Sequence, residues 1–193
     1  MSALPVLETA RLRLRGIGPD DAEAMFPVLS DDGLMTWWSS AAHRDIAQTR
    51  AYLTYTPDPD GMRSWAITLG PAQPAIGWVT VIRRRPGVNE IGYILARDHW
   101  GSGIAREALA RVLDFIFQAE GERRVFADID PDNRASRGLV ERLGFTQEGT
   151  LRAEWETHIG VRDTVIYGLL RDEWRQRNLT APPTGQSAGS SGS

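Results

Sequence analysis

Residues 97–108 read RDHWGSGIAREA, which sets two glycines directly ahead of a strongly periodic apolar run. From Ile104 onward, Ala108, Leu109, Val112, Leu113 and Ile116 recur at helical spacing and predict a helix beginning near Gly103. Strand-like runs flank it, NEIGYIL at 89–95 and RRVFADI at 123–129. A strand, a helix and a second strand in this order predict a right-handed parallel crossover. Glycine costs roughly 1 kcal/mol against alanine inside a helix, so two of them at a helix start call for a compensating gain.

The rest of the chain extends this unit. RLRLRGI (11–17) alternates and predicts a strand; PDDAEAMFPVL (19–29) carries Pro19 and two aspartates where a helix dipole favours negative charge. Arg44 to Tyr55 reads as a weaker helix, and SWAITLG (64–70) and AIGWVTVIRR (75–84) as strands separated by Gly/Pro-rich turns. DNRASRGLVERLGF (132–145) predicts a short helix capped by Asn133 and closed by Gly144. Two strands follow, around Glu148–Ile159 and Val161–Leu170. The expected order is β-α-α-β-β-β-α-β-α-β-β, an α/β fold with a central mixed, twisted sheet flanked by helices. One domain is expected over residues 7–175, followed by a flexible tail over 176–193 whose last fourteen residues are almost entirely Pro, Gly, Ser, Thr and Ala.

Composition narrows the function classes. The net charge of −3 argues against a broad nucleic-acid footprint, and no apolar run is long enough to suggest a membrane span. The N-terminus lacks the order of a signal peptide. With no cysteine, disulfides, zinc–thiolate sites and a cysteine acyl-enzyme are all excluded. Three scattered histidines offer no metal-ligand spacing, so no metal is expected and His43 and His158 receive no role. A cytoplasmic location is the default expectation.

The glycines admit two readings. They can clear side chains from a helix N-terminus so that a phosphate reaches the backbone amides, or they can simply make a tight turn. A P-loop is ruled out because Ile104-Ala105 stands where Lys-Ser/Thr is needed. A dinucleotide fingerprint is ruled out because Arg106 occupies the third small-residue position.

HWGSGIAREAL, followed some thirty residues later by DPDNRASRGLVERLGFTQEGTLR, resembles the GNAT N-acetyltransferases, in particular the RimJ/RimL-like branch that acetylates ribosomal-protein N-termini. The resemblance runs from ETARLRLR to GLLRDEW. It implies acetyl-CoA as cosubstrate, with the pyrophosphate on the amides of Gly101, Gly103, Ile104 and Ala105 and charge added by Arg106. Trp100 replaces the family's usual Gln/Arg. Pantetheine would pair with backbone groups of Ile94, Leu95 and Ala96, and Asn133 would contact the cofactor arm. Homodimers are common in the family.

Acetyl transfer needs a neutral amine, a stabilised oxyanion and a protonated thiolate. Glu90 is the first candidate base, Asp98 the second and His99 the third; an amide near Ile94 or Leu95 would hold the oxyanion. The tyrosine that many relatives use for the thiolate is missing from 137–152, and Ser136 matches the serine of RimL-like relatives. Among seven tryptophans, Trp37, Trp38 and Trp155 fall where the family places its acceptor, either as aromatic walls or as core; Trp65 and Trp78 read as core. The arginines of IRRRPG (82–87) form either an acidic-substrate patch or a solvated turn. The leading expectation is direct transfer of acetyl to a primary amine of a protein N-terminus or a small molecule. A non-catalytic acyl-CoA-binding module, and a structural protein with the glycines as a turn only, are the alternatives.

Overall fold

The computed structural model describes residues 4–54 and 61–180. Two short strands, β1 (Leu7–Glu8) and β2 (Arg13–Gly16), stand where one was expected. Helices α1 (Ala22–Leu29), α2 (Asp32–Met35) and α3 (Ile46–Leu53) follow, then strands β3 (Met62–Thr68), β4 (Gly77–Arg85) and β5 (Val88–Leu95). Next come α4 (Ile104–Asp114), β6 (Arg124–Ile129), α5 (Arg134–Leu143), β7 (Thr146–Thr157), β8 (Gly160–Leu170) and α6 (Arg171–Thr180). The expected order holds, with α2 and α6 added. Asp31 caps α2 by accepting from the amides of Gly33 and Leu34, a local signal too short to carry helical periodicity. Helix α6 continues past Arg175, the expected end of the domain, to Thr180, while Tyr55 and residues 181–193 lie outside the described residues.

The eight strands form one sheet in the order β1-β2-β3-β4-β5-β6-β8-β7. Strands β5 and β6 run parallel, joined across α4 as predicted, and the other described pairs are antiparallel. Strand alternation sends Trp65, Val79, Val81 and Ile91 to one face, against Leu109, Val112 and Leu113 of α4. Ala66, Trp78 and Ile94 face the other way, onto Met25, Leu29, Met35 and Leu53 of the N-terminal helices. Burial on both faces is why β4 reads as a nearly continuous apolar run. Strand β7 covers no second layer and is exposed along almost its whole length.

Strand β5 pairs with β4 as far as Leu95, but with β6 only over Val88–Glu90. Beyond Glu90 the two parallel strands part. Strand β6 is held away by β8, which pairs it from Arg124 to Ile129.

Leu109 is fully buried in the layer that fixes this geometry. Leu109→Ala is expected to cost about 2–5 kcal/mol, read as a lower denaturant midpoint with an unchanged slope. Leu151→Ala, on the exposed strand β7, is expected to stay within about 0.5 kcal/mol of wild type.

Candidate active site

A cleft of about 890 Å³ opens where β5 and β6 part, and the N-termini of α4 and α5 both border it. Gly101 and Gly103 take φ of +72° and +80°, values an L side chain rarely adopts. A Cβ at Gly101 would meet nothing within 4 Å, so the loop backbone faces open space. Gly103 is the N-cap of α4 and supplies no side-chain cap. The first amides of the helix, at Ile104, Ala105 and Arg106, therefore have no intrahelical acceptor and line the cleft. Successive amides presented by such a turn make an anion-binding concavity. Arg11 braces it from outside, donating to the Ser102 carbonyl at 3.1 Å and to Glu107 at 2.7 Å. Across the cleft, Asn133 caps α5 by accepting from the Ser136 amide, as predicted. Arg106, Arg134 and Arg142 line this end and make no ion pair among the described residues. These features fit a polyphosphate.

The open edge of β5 differs in detail from the expectation. The Ala96 amide donates to the Ile76 carbonyl at 2.8 Å, which turns it toward β4. Backbone groups alternate sides along a strand, so those of Ile94 also face β4, and it is Tyr93 and Leu95 that address the gap. The Leu95 carbonyl is taken in turn by the Trp100 indole N–H at 2.8 Å, leaving its amide. Trp100 thus ties the glycine loop to the end of β5.

Two carboxylates expected in the chemistry lie elsewhere. Glu90 does not line the cleft; it sits where β5 is still paired on both sides and binds the Arg84 guanidinium at 2.6 Å. Asp98 is exposed on a 3₁₀ turn and also lies outside it. His99 lines the cleft beside the glycine loop. Ser136 lines it too, and its carbonyl accepts from the half-buried Tyr93 hydroxyl at 3.3 Å. Burial pushes the Tyr93 phenol up to about 12 and keeps it protonated at neutral pH. Tyr93 went unnoticed in the sequence because it lies before the first motif, whereas the expected tyrosine would follow the second.

On the other side of the sheet, Trp37 and Trp38 border the cleft together with Leu34 of α2. Trp38 packs edge-on against Trp78 and donates to the Tyr52 hydroxyl at 3.0 Å. Trp155 does not reach the cleft; its indole N–H donates at 2.8 Å to Asp128, which does. Arg162 binds both Asp130 oxygens at 2.7 and 3.0 Å and Asp132 at 2.6 Å, and lies 5.8 Å from the centre of the Trp37 ring. Burial would raise the Asp130 carboxyl, but the bonds from Arg162 outweigh it and hold it low.

Arg97 joins the two sides. It grips Asp31 at 2.7 and 3.0 Å and lies 5.2 Å from the Trp100 ring. A Cβ on Gly33 would meet its guanidinium at 2.3 Å, so a glycine at 33 is what lets the pair close. Arg97 holds the Asp31 carboxyl down at about 2, helped by the α2 amides. Among the described residues no group of three metal-ligating side chains gathers, and no helix is long and apolar enough to cross a membrane.

The sequence profile of the acetyltransferase (GNAT) domain matches residues 11–146. The N-acetyltransferase YoaA of Bacillus subtilis (strain 168), itself uncharacterized, is 30% identical over 173 residues, 86% of this chain and 97% of its own. The [ribosomal protein uS5]-alanine N-acetyltransferase of Escherichia coli (strain K12) is 29% identical over 94 residues, 49% of this chain and 42% of its own. In structure, a GCN5-related N-acetyltransferase from Brucella melitensis superposes with a TM-score of 0.80 at 24% identity, covering 96% of this chain and 90% of that one. Spermidine N-acetyltransferase from Vibrio cholerae, solved with CoA and spermine, gives 0.75 at 20% identity over 86% and 99%.

Because the folded Asp31 carboxyl titrates at about 2, below the ordinary value near 3.9, its contribution to stability is complete above that value. It is lost as pH falls toward 2. In Arg97→Ala the Asp31 resonance, followed by NMR, should titrate well above the wild-type position, and the acid-side loss of stability should shrink.

Proposed function

This chain belongs to the acetyltransferase (GNAT) domain family, and from that premise we propose that it is an acetyl-CoA-dependent N-acetyltransferase of the RimJ/RimL-like branch. It transfers acetyl directly to a primary amine of a protein N-terminus or a small molecule. The observation that carries the proposal is the amide-lined turn of Gly101 and Gly103 at the N-terminus of α4, opening onto the gap between β5 and β6. The turn amides and the arginines beside them hold the pyrophosphate. The β6-facing edge of β5 receives the pantetheine arm as an added strand would be received. That lays the thioester in the gap, beside the Leu95 amide as oxyanion donor and the hydroxyls of Ser136 and Tyr93 as proton sources for the thiolate. A chain without cysteine favours direct transfer within a ternary complex. The two relatives named for their acceptors, a ribosomal-protein alanine and spermidine, both transfer to amines.

Acetyl-CoA at a hundred times its dissociation constant should add about 2.7 kcal/mol of stability, a rise of roughly 5–10 °C in Tm for a chain this size. Gly103→Glu, which puts a carboxylate into the anion site, should abolish that rise. No rise in the wild type at millimolar acetyl-CoA would refute the donor site. With an accepted amine, Ser136→Ala should lower kcat about tenfold or more while leaving the thermal rise intact.

A further inference from the structure

We propose that Asp128 binds the ammonium group of the acceptor and takes its proton, so that the cleft selects amines that are cationic in solution and carry an apolar flank. The inference rests on the acetyltransferase reading above and adds to it the base and the acceptor class. Paired residues of parallel strands point to the same face. Glu90 pairs with Phe126, so continuing the register brings Asp128 level with Gly92, at the first step of the gap. Val125, Ala127 and Ile129 are buried on the α4 side, and Asp128 therefore points to the opposite face, toward α2. Its carboxylate lines the cleft on the side of Trp37 and Trp38, across the sheet from Ser136 and Tyr93. A thioester in the gap would have the donor's proton sources on one side and Asp128 on the other.

Two side chains hold Asp128 in place. Trp155 Nε1 donates to one oxygen at 2.8 Å and Thr164 Oγ1 to the other. Both donors are neutral, and each carboxylate oxygen keeps a second acceptor site. Asp130 and Asp132, the other carboxylates lining the cleft, are both bound to Arg162. Asp128 is thus the lining carboxylate without a cationic partner among the described residues. The cleft is divided: arginines stand at the phosphate end, and a carboxylate bonded only to neutral donors stands on the side of the tryptophan walls.

The chemistry balances. Asp128 takes one proton from the ammonium, and the freed nitrogen lone pair attacks the thioester carbonyl. A C–N bond forms, the tetrahedral oxyanion collapses, and the C–S bond breaks with its electron pair on sulfur. The second nitrogen proton reaches the sulfur through the Ser136 or Tyr93 hydroxyl, and the proton on Asp128 passes to solvent. Ammonium and thioester become amide, thiol and one released proton.

The test compares two probes of the same shape at neutral pH: phenethylamine, which is cationic, and O-benzylhydroxylamine, which is neutral. The wild type should acetylate both. Asp128→Asn should lose about a hundredfold or more in kcat/KM with phenethylamine, and less than about threefold with O-benzylhydroxylamine, which needs neither the anion nor the base. Asp128→Ala should show the same loss confined to phenethylamine, so the inference stays open to test if Asp128→Asn folds poorly. Equal losses with both probes, no loss with either, or a wild type that binds acetyl-CoA and acetylates neither would overturn it. Failure of the wild type to bind acetyl-CoA would instead strike the acetyltransferase reading itself.

Discussion

Everything at this site depends on two parallel strands that stop pairing while each remains held by its other neighbour. Strand β5 is kept straight by β4 as far as Leu95, and β6 by β8 as far as Ile129, but the two share pairs only over Val88–Glu90. Hydrogen bonds left unmade inside a sheet are costly unless something else satisfies them. Here they form an edge that an extended ligand can complete. The crossover helix α4 returns over this gap, so its unpaired first amides open onto the same cleft.

The packing that holds the strands apart also divides the residues lining the cleft between the two faces of the sheet. The face covered by α4 and α5 carries Tyr93, Ser136 and the glycine turn; the face covered by the N-terminal helices carries Trp37, Trp38 and Asp128. Arg97 spans the two, through Asp31 to α2 and through Trp100 to the loop. Substitution of either partner should therefore be felt on both sides of the cleft. Because Arg97 and Asp31 are both partly exposed, the pair is a positional clasp more than a source of stability.

Legibility in the sequence followed the range of the forces involved. The glycine turn, the α4 stripe and the Asn133 cap were readable because each is settled by residues within a few positions of one another. The carboxylate proposed as the base was not. Glu90 and Asp98 lie close to the right strand, but Glu90 falls where β5 is still paired on both sides and meets Arg84, and Asp98 falls on an outward turn. Asp128 lay inside a predicted strand with nothing nearby to mark it. Its partners come from β7 and β8, some thirty residues away. The same limit separated Leu95, one of the three expected residues, from Ile94 and Ala96, whose backbone groups face β4, and brought in Tyr93, since backbone groups alternate sides along a strand.

By itself the sequence determined the elements, their order, the parallel crossover and the place of the two glycines at the start of α4. These follow from periodicity and from steric limits on φ, which act within single elements. Only the tertiary structure decided where β5 and β6 part, which side of each strand meets the gap, and which carboxylates meet an arginine. Those outcomes depend on strand register and on ion pairs between distant segments, such as Arg162 with Asp130 and Arg84 with Glu90. No local pattern encodes them, because the groups that neutralise or orient one another meet only after the sheet has assembled.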